Sequence, residues 1–153
     1  MTKHLSPNME MYLKTILRLD PPDGSGVRAK EIAASLGVTR PSVSEALRSL
    51  TARGLVVHPS YGAVRLSARG RRAATSVNHR FEVLRKFFAE ILQVQEKIAS
   101  RDACEIEHVV GAETLRQLTA FVEYATRTGE TVNPIVSEFE KFLQEESTEP
   151  EGE

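Results

Sequence analysis

Ala33-Ala34-Ser35-Leu36-Gly37-Val38-Thr39-Arg40-Pro41-Ser42-Val43 sets the architecture of the first half of the chain. Gly37 permits a tight turn, and Thr39 is a good cap for whatever helix follows it. Ala33 and Ala34 are small enough for close helix contact, while Ile32, Leu36, Val38, Val43, Leu47 and Leu50 supply apolar contacts. The spacing predicts two short helices, over about residues 29–36 and 40–53, in a helix-turn-helix arrangement. After Gly54 a strand is expected over 55–58, a turn over 59–62 and an antiparallel partner over 63–66. Helix-turn-helix followed by a hairpin is a winged helix.

Upstream, Ser6-Pro7 is a cap followed by Pro at the first helical position. This helix should run to about Leu19 and bury Tyr12, Ile16 and Leu19, with Met9 and Leu13 close by. It ends in the Pro- and Gly-rich loop 20–26. Met11 lies off the apolar stripe and, by residue type alone, reads as a gap-filler.

Downstream, Ser67 should cap a long helix over about 68–93 that opens with Arg69, Arg71 and Arg72. Val77, Phe81, Leu84, Phe88 and Ile91 recur at 4-3-4-3 spacing, the seam of a helix packed on a helix. A break near 93–95 leads into a short helical stretch and then a helix over residues 104–108, and Gly111 allows another break. Leu115, Leu118, Val122 and Ala125, broadened by Phe121, give a further seam. Asn133-Pro134 starts a last helix expected to bury Ile135, Phe139, Phe142 and Leu143. The acidic residues 147–153 should be a disordered tail. The fold class is thus mainly α: a winged-helix domain over 1–72 and an all-helical domain over 73–146.

Net charge is −1, but it is unevenly spread. Residues 1–72 carry 12 Lys and Arg against 5 Asp and Glu, and residues 73–153 carry 8 against 16. A basic first half suggests a polyanionic partner; an acidic second half suggests regulation, dimerisation or cation binding. One cysteine cannot close an internal disulfide, which fits a reducing cytoplasm. No apolar run reaches the length of a membrane span, and the N-terminus lacks a signal-peptide layout.

Cys104-Glu105-Ile106-Glu107-His108 carries the second signal. Positions i, i+3 and i+4 share one helix face, so Cys104, Glu107 and His108 would project a thiol, a carboxylate and an imidazole together. Such a trio suits a borderline divalent transition metal, with at least one further ligand from elsewhere. The plainer reading is a small buried thiol beside a surface Glu–His pair. Cys104 could also serve as a redox sensor without metal. A Cys104–His108 nucleophile–base pair lacks an evident oxyanion site or pocket motif. His4 and His58 read as exposed bystanders.

Glu10-Met11-Tyr12-Leu13, Glu31-Ile32-Ala33, Pro41-Ser42-Val43-Ser44, Gly54-Leu55-Val56 and Cys104-x-x-Glu107-His108 stand in the order of one known group. Through them the chain resembles the diphtheria-toxin-repressor family of iron- or manganese-dependent transcription regulators, in a short form without the SH3-like domain. The resemblance implies a cytoplasmic, homodimeric, metal-activated repressor that is not an enzyme. It implies a palindromic double-stranded DNA operator as partner, with no membrane and no small organic substrate. It also implies Met11, Cys104, Glu107 and His108 as ligands of one regulatory ion per subunit, clamping the two halves of the chain together. The ligand set is similar to that of the iron-type members, so Fe2+ is expected. Mn2+ is the alternative, since the length resembles the manganese-type members, although those carry acidic residues where Met11 and Lys14 stand here. The family's ancillary metal positions fall on Phe81, Arg85 and Ser100, none of which replaces the original ligands, and His79 is expected to be structural or solvent-facing.

On the DNA side the expected contacts are Arg28, Thr39, Arg40, Pro41, Ser42, Ser44, Glu45, Arg48 and Arg65. Pro41 and the Thr39 methyl suit a thymine methyl, Arg40 a phosphate or guanine edge, and Ser42 and Ser44 phosphate. Glu45 stands where the family reads a base with an amide, and can accept only from cytosine N4. Arg69, Arg71 and Arg72 are further candidates for backbone contact.

Overall fold

The computed structural model describes residues 5–59, 62–126 and 134–146. The chain divides between Asn78 and His79 into two compact units. Among the described residues no helix is long and apolar enough to cross a membrane.

In the first unit α1 (Pro7–Leu19) begins as its sequence requires, with Ser6 accepting a hydrogen bond from the Met9 amide at 3.3 Å. Its Tyr12, Leu13 and Ile16 are buried against Ile32, Val43, Leu47 and Leu50. Burial pushes the Tyr12 phenol above its ordinary pKa. α2 (Ala29–Leu36) ends at Gly37, whose φ of 65° is the left-handed conformation expected of that turn. α3 (Arg40–Ala52) follows at once, capped by Thr39, whose hydroxyl accepts from the Ser42 amide at 3.4 Å. The wing is shorter than the sequence pattern suggests: β1 (Val56–Val57) and β2 (Arg65–Leu66) pair antiparallel, Val56 opposite Leu66 and Val57 opposite Arg65. A third segment joins them, because Val27 and Val64 exchange both backbone hydrogen bonds at 2.8 Å. That lone bridge lies outside any apolar alternation, so sequence period gave no sign of it.

The hairpin is knotted to α4 (Ala68–Lys86) by one serine. Ser67 Oγ donates to the carbonyls of Gly54 and Leu55 at 2.7 and 3.1 Å and accepts from the Gly70 amide at 3.0 Å. Gly70 lies so close that a Cβ there would collide with the Leu55 carbonyl. Arg71 then pairs with Asp20, just past the end of α1, at 2.7 Å.

The second unit contains the end of α4, a π-helical turn at Phe87–Ile91, α5 (Glu96–Ile106), α6 (Ala112–Thr126) and α7 (Pro134–Glu146). The expected break after the long helix is present, with Gln93 at φ 57°. Val83, Ile91, Val122, Ala125 and Val136 form its core, and Phe87 packs on them. The seam expected on the long helix holds for Val77, Leu84 and Ile91, whereas Phe81 and Phe88 are only half-buried. Phe87, the first residue of the π turn, meets Phe121 edge-on at 6.2 Å. In α7 the expectation needs correcting. Val136 is its buried residue, Phe139 and Leu143 are half-buried, and Ile135 and Phe142 are exposed, the latter at 54%. Phe139 and Leu143 lie three and seven positions from Val136 and share its face, while Ile135 and Phe142 form an adjacent stripe. The expected disordered tail at 147–153, the Asn133 cap and His4 lie outside the described residues.

Gly70→Ala should lower stability by about 1–3 kcal/mol, the usual range for overpacking a tight contact. Urea unfolding should show a lower midpoint at unchanged slope. A parental midpoint would mean that the hairpin yields and that the Ser67 knot constrains little.

Candidate metal centre and nucleic-acid face

α5 presents an unusual stripe. Ala99, Ala103 and Glu107 are spaced four apart and are all buried, two methyls followed by a carboxylate. Glu107 is the C-cap of α5, its amide donating to the Ala103 carbonyl at 2.9 Å, and its side chain is 0% exposed. Burying a carboxylate is costly, and the C-terminal end of a helix dipole disfavours an anion further. Its Oε1 lies 3.5 Å from Nε2 of His108, a side chain 11% exposed. Cys104, one turn earlier, is half-buried and carries no disulfide.

The structure therefore brings Glu107 and His108 together but does not close the trio. Among the described residues no three His, Cys, Asp or Glu side chains gather around a common point as a metal ion requires. The helix ends at Ile106, Glu107 keeps helical backbone angles as its C-cap, and His108 lies in the turn beyond it. Met11 is half-buried on α1 of the first unit. The donor chemistry still fits a divalent transition ion: a buried carboxylate and an imidazole side by side, with a half-buried thiol one turn away.

Positions 81, 85 and 100 hold no second set of ligands. Phe81 is half-buried, Arg85 lies 3.1 Å from oxygens of both Glu82 and Glu96, and the Ser100 hydroxyl donates to Glu96 at 3.0 Å. Burial alone would lower the Arg85 pKa, but the hydrogen bonds and charge of Glu82, then of Glu96, outweigh it and hold the guanidinium above its ordinary value. His79 is exposed and lines a shallow groove of about 450 Å³ with residues of α6. His58 is half-buried.

In the first unit every expected contact residue is exposed: Arg28, Thr39, Arg40, Pro41, Ser42, Ser44, Glu45, Arg48 and Arg65. The apolar stripe Val43, Leu47 and Leu50 turns inward and leaves the polar face of α3 to solvent. Arg28, Lys30, Arg40 and Ser44 line an open groove of about 350 Å³ that reaches Gly62 of the wing. Lys30 was missed by the sequence reading, and its only signal was its place two residues after Arg28. The Thr39 and Ser42 hydroxyls lie 2.9 Å apart, which leaves the Thr39 methyl as its free surface. Two of the basic residues expected at the DNA backbone are engaged within the protein: Arg71 with Asp20, and Arg69 with the Arg53 carbonyl at 3.3 Å.

Residues 4–64 match the family model described as iron dependent repressor, N-terminal DNA binding domain. Residues 67–137 match its companion, the iron dependent repressor metal binding and dimerisation domain. The chain belongs to the iron-dependent repressor family. This is a family of DNA-binding, metal-dependent transcriptional repressors, not of enzymes. The diphtheria toxin repressor of Corynebacterium diphtheriae is 29% identical over 126 residues, 82% of this chain and 55% of that protein. The uncharacterized HTH-type transcriptional regulator MJ0568 of Methanocaldococcus jannaschii is 27% identical over 119 residues, 78% of this chain and 95% of its own. A solved manganese-dependent transcriptional repressor in complex with manganese superposes with a TM-score of 0.69 at 30% identity, covering 78% of this chain and 54% of that one. The chain thus spans about half the length of the diphtheria toxin repressor and of the manganese-dependent repressor that it matches.

Proposed function

We propose that this iron-dependent-repressor family member is a cytoplasmic homodimer that binds a palindromic double-stranded DNA operator when loaded with one regulatory metal ion per subunit. The observation that carries this reading is the buried Glu107 carboxylate beside His108, in a chain whose other unit exposes a basic groove at the recognition helix α3. The proposed ligands are Met11, Cys104, Glu107 and His108. A bound ion would be held by the thiolate, the carboxylate and the imidazole together, a donor set that suits a divalent transition metal. Metal that prefers one arrangement of the chain populates that arrangement. In a two-fold dimer this sets whether both recognition helices reach half-sites about one helical turn apart.

The ion proposed is Fe2+, because thioether and thiolate are soft ligands that Mn2+ has little use for. Mn2+ is the second reading, favoured by the 30% identity to a repressor solved with manganese. Operator selection followed by binding assays with Fe2+, Mn2+ and chelator separates the two. Tight binding should require metal and be lost in Cys104→Ala and His108→Ala. Met11→Asp should shift relative activation from iron towards manganese. Equal affinity of metal-free and loaded protein would remove the metal from the mechanism, and an unchanged ion ratio in Met11→Asp would remove the softness argument.

Binding to DNA should depend steeply on salt. Arg40→Ala and Lys30→Ala should each reduce the slope of log affinity against log salt by about 1, the contribution of one phosphate contact. Parental slopes in both variants would place the DNA elsewhere than the groove beside α3.

Stoichiometry offers a separate check, since Arg85 holds positive charge where a second ion would sit. Anaerobic titration with Fe2+ should end at one tight equivalent per chain, and His79→Ala should leave that number unchanged. A second equivalent lost in the His79 variant would overturn the single-ion reading.

A further inference from the structure

Where α4 meets α5, one guanidinium serves two helices. Arg85, in the last turn of α4, donates from Nε to Glu82 Oε2 at 3.1 Å, and its Nη2 lies 3.1 Å from the same oxygen. Its Nη1 reaches both carboxylate oxygens of Glu96, the first residue of α5, at 3.1 Å. Ser100, one turn along α5, donates to Glu96 Oε1 at 3.0 Å and so holds that carboxylate from its own helix. The Arg85 side chain is 23% exposed, against 41% for Glu82 and 61% for Glu96.

An isolated surface ion pair constrains little. This one differs in three respects: the guanidinium is partly buried, it is shared by two carboxylates, and each contact is doubled. Beyond the clamp, the buried stripe of α5 is Ala99 and Ala103 before it reaches Glu107. Methyl side chains interlock weakly with their neighbours, so little else on that stripe sets the direction of the helix. Glu107 lies eleven residues after Glu96, roughly 16 Å along a helix rising 1.5 Å per residue. A tilt of about 5° at the clamp would therefore move a ligand by roughly 1.4 Å over that length, whereas ligand distances tolerate about 0.2 Å.

We propose that Arg85 is a positioning residue for the metal centre, a protein-borne cation that fixes the start of α5 on α4 and so aims Cys104, Glu107 and His108. The inference rests on the ligand reading given above. It adds that affinity for the ion is set in part by a residue that never touches it.

The experiment compares metal-free full-length parent, Arg85→Met, Arg85→Lys and Glu96→Gln. Calorimetric Mn2+ titration, thermal unfolding and amide exchange of α5 are read on each. Arg85→Met keeps an apolar stem and removes the charge. It should weaken Mn2+ binding about tenfold, the low end of what loss of an outer-shell support costs. Its α5 amides should exchange faster without metal and regain protection at saturating Mn2+. Glu96→Gln should move affinity in the same direction, and Arg85→Lys should lie between, since an ammonium cannot face both carboxylates as a planar fork does. Parental Mn2+ affinity in both Arg85→Met and Glu96→Gln, with only a lower melting midpoint, would reduce Arg85 to a stabilising contact and overturn the proposal. Should Arg85→Met fail to fold, Glu96→Gln decides on the same criterion. A parent that takes up no Mn2+ is titrated anaerobically with Fe2+ alongside the same variants; one that takes up neither ion sinks the ligand reading itself, and the inference with it, whereas a parent that binds while its variants match it sinks the inference alone.

Discussion

The carboxylate of Glu107 is the constraint around which the second unit is arranged. Among the described residues it is the charged side chain in the buried class. Withdrawing an ion from water costs several kcal/mol even after the protein relaxes. Its place at the C-terminal end of α5 sets it against the helix dipole as well. A sequence under selection for stability alone would put Leu or Gln there. His108 lies beside it at 3.5 Å, and the buried residues that precede it on the helix are two alanines. Thiolate, carboxylate and imidazole hold a metal ion only in their deprotonated forms. Binding of metal should accordingly be linked to pH through proton release.

The first unit solves a different problem, holding a polar helix face outward in a fixed pose. α3 spends its apolar stripe on the core shared with α1 and α2, and its ends are set by the left-handed Gly37 and the Thr39 cap. The wing is stiffened from outside by the Ser67 hydroxyl, which bridges two carbonyls and one amide. Arg71 turns inward to Asp20, so it adds rigidity where the sequence suggested phosphate contact. The charge left on the surface, at Arg28, Lys30, Arg40 and Arg48, is what a phosphate backbone would meet. Glu45 interrupts it. A carboxylate beside phosphates is unfavourable unless a donor such as cytosine N4 donates a hydrogen bond to it, so at a base edge Glu45 would act on sequence preference rather than on affinity.

Local signals were legible and non-local ones were not. Gly37, Thr39, Ser6-Pro7 and Ser67 announced helix ends because a cap acts within four residues. Tyr12, Ile16, Val43, Leu47 and Leu50 announced the core through helical period, and the structure buries all five. The family was legible because its motifs sit in order along the chain. The Val27–Val64 bridge was invisible, since one residue has no period. The burial of α7 was misread because its apolar arc is wide, and only the position of α6 decides that Val136 and not Phe142 faces inward. The π turn at Phe87–Ile91 carries no residue signature. Of the candidate metal site, residue types and spacing were readable, but the end of α5 at Ile106 was not. Glu82 and Arg85 had a visible three-residue spacing, whereas Glu96 enters their network only through the turn between α4 and α5.

The second unit is the one that matches a metal binding and dimerisation domain. Among the described residues, and apart from Val57, the large exposed hydrophobics fall after residue 78, among them Val109 at 78% and Tyr124 at 61%. Each is a candidate for burial worth about 25 cal/mol per Å² of apolar area. A two-fold interface uses the same patch twice, so a modest surface on one chain yields double the burial. Dimerisation also changes what each ion must achieve. Moving a two-state equilibrium from 1:99 to 99:1 takes about 5.5 kcal/mol of differential binding. If both ions of a dimer act on one shared arrangement, each needs about half of that, roughly a hundredfold preference for the DNA-competent form. A centre that gathers only two of its donors before the ion arrives is compatible with such a modest preference, because assembling the remaining ligands uses part of the binding energy. The strength of the switch is then limited by how far the protein has already aimed its ligands, which is the task that falls to α5 and to the residues that hold it.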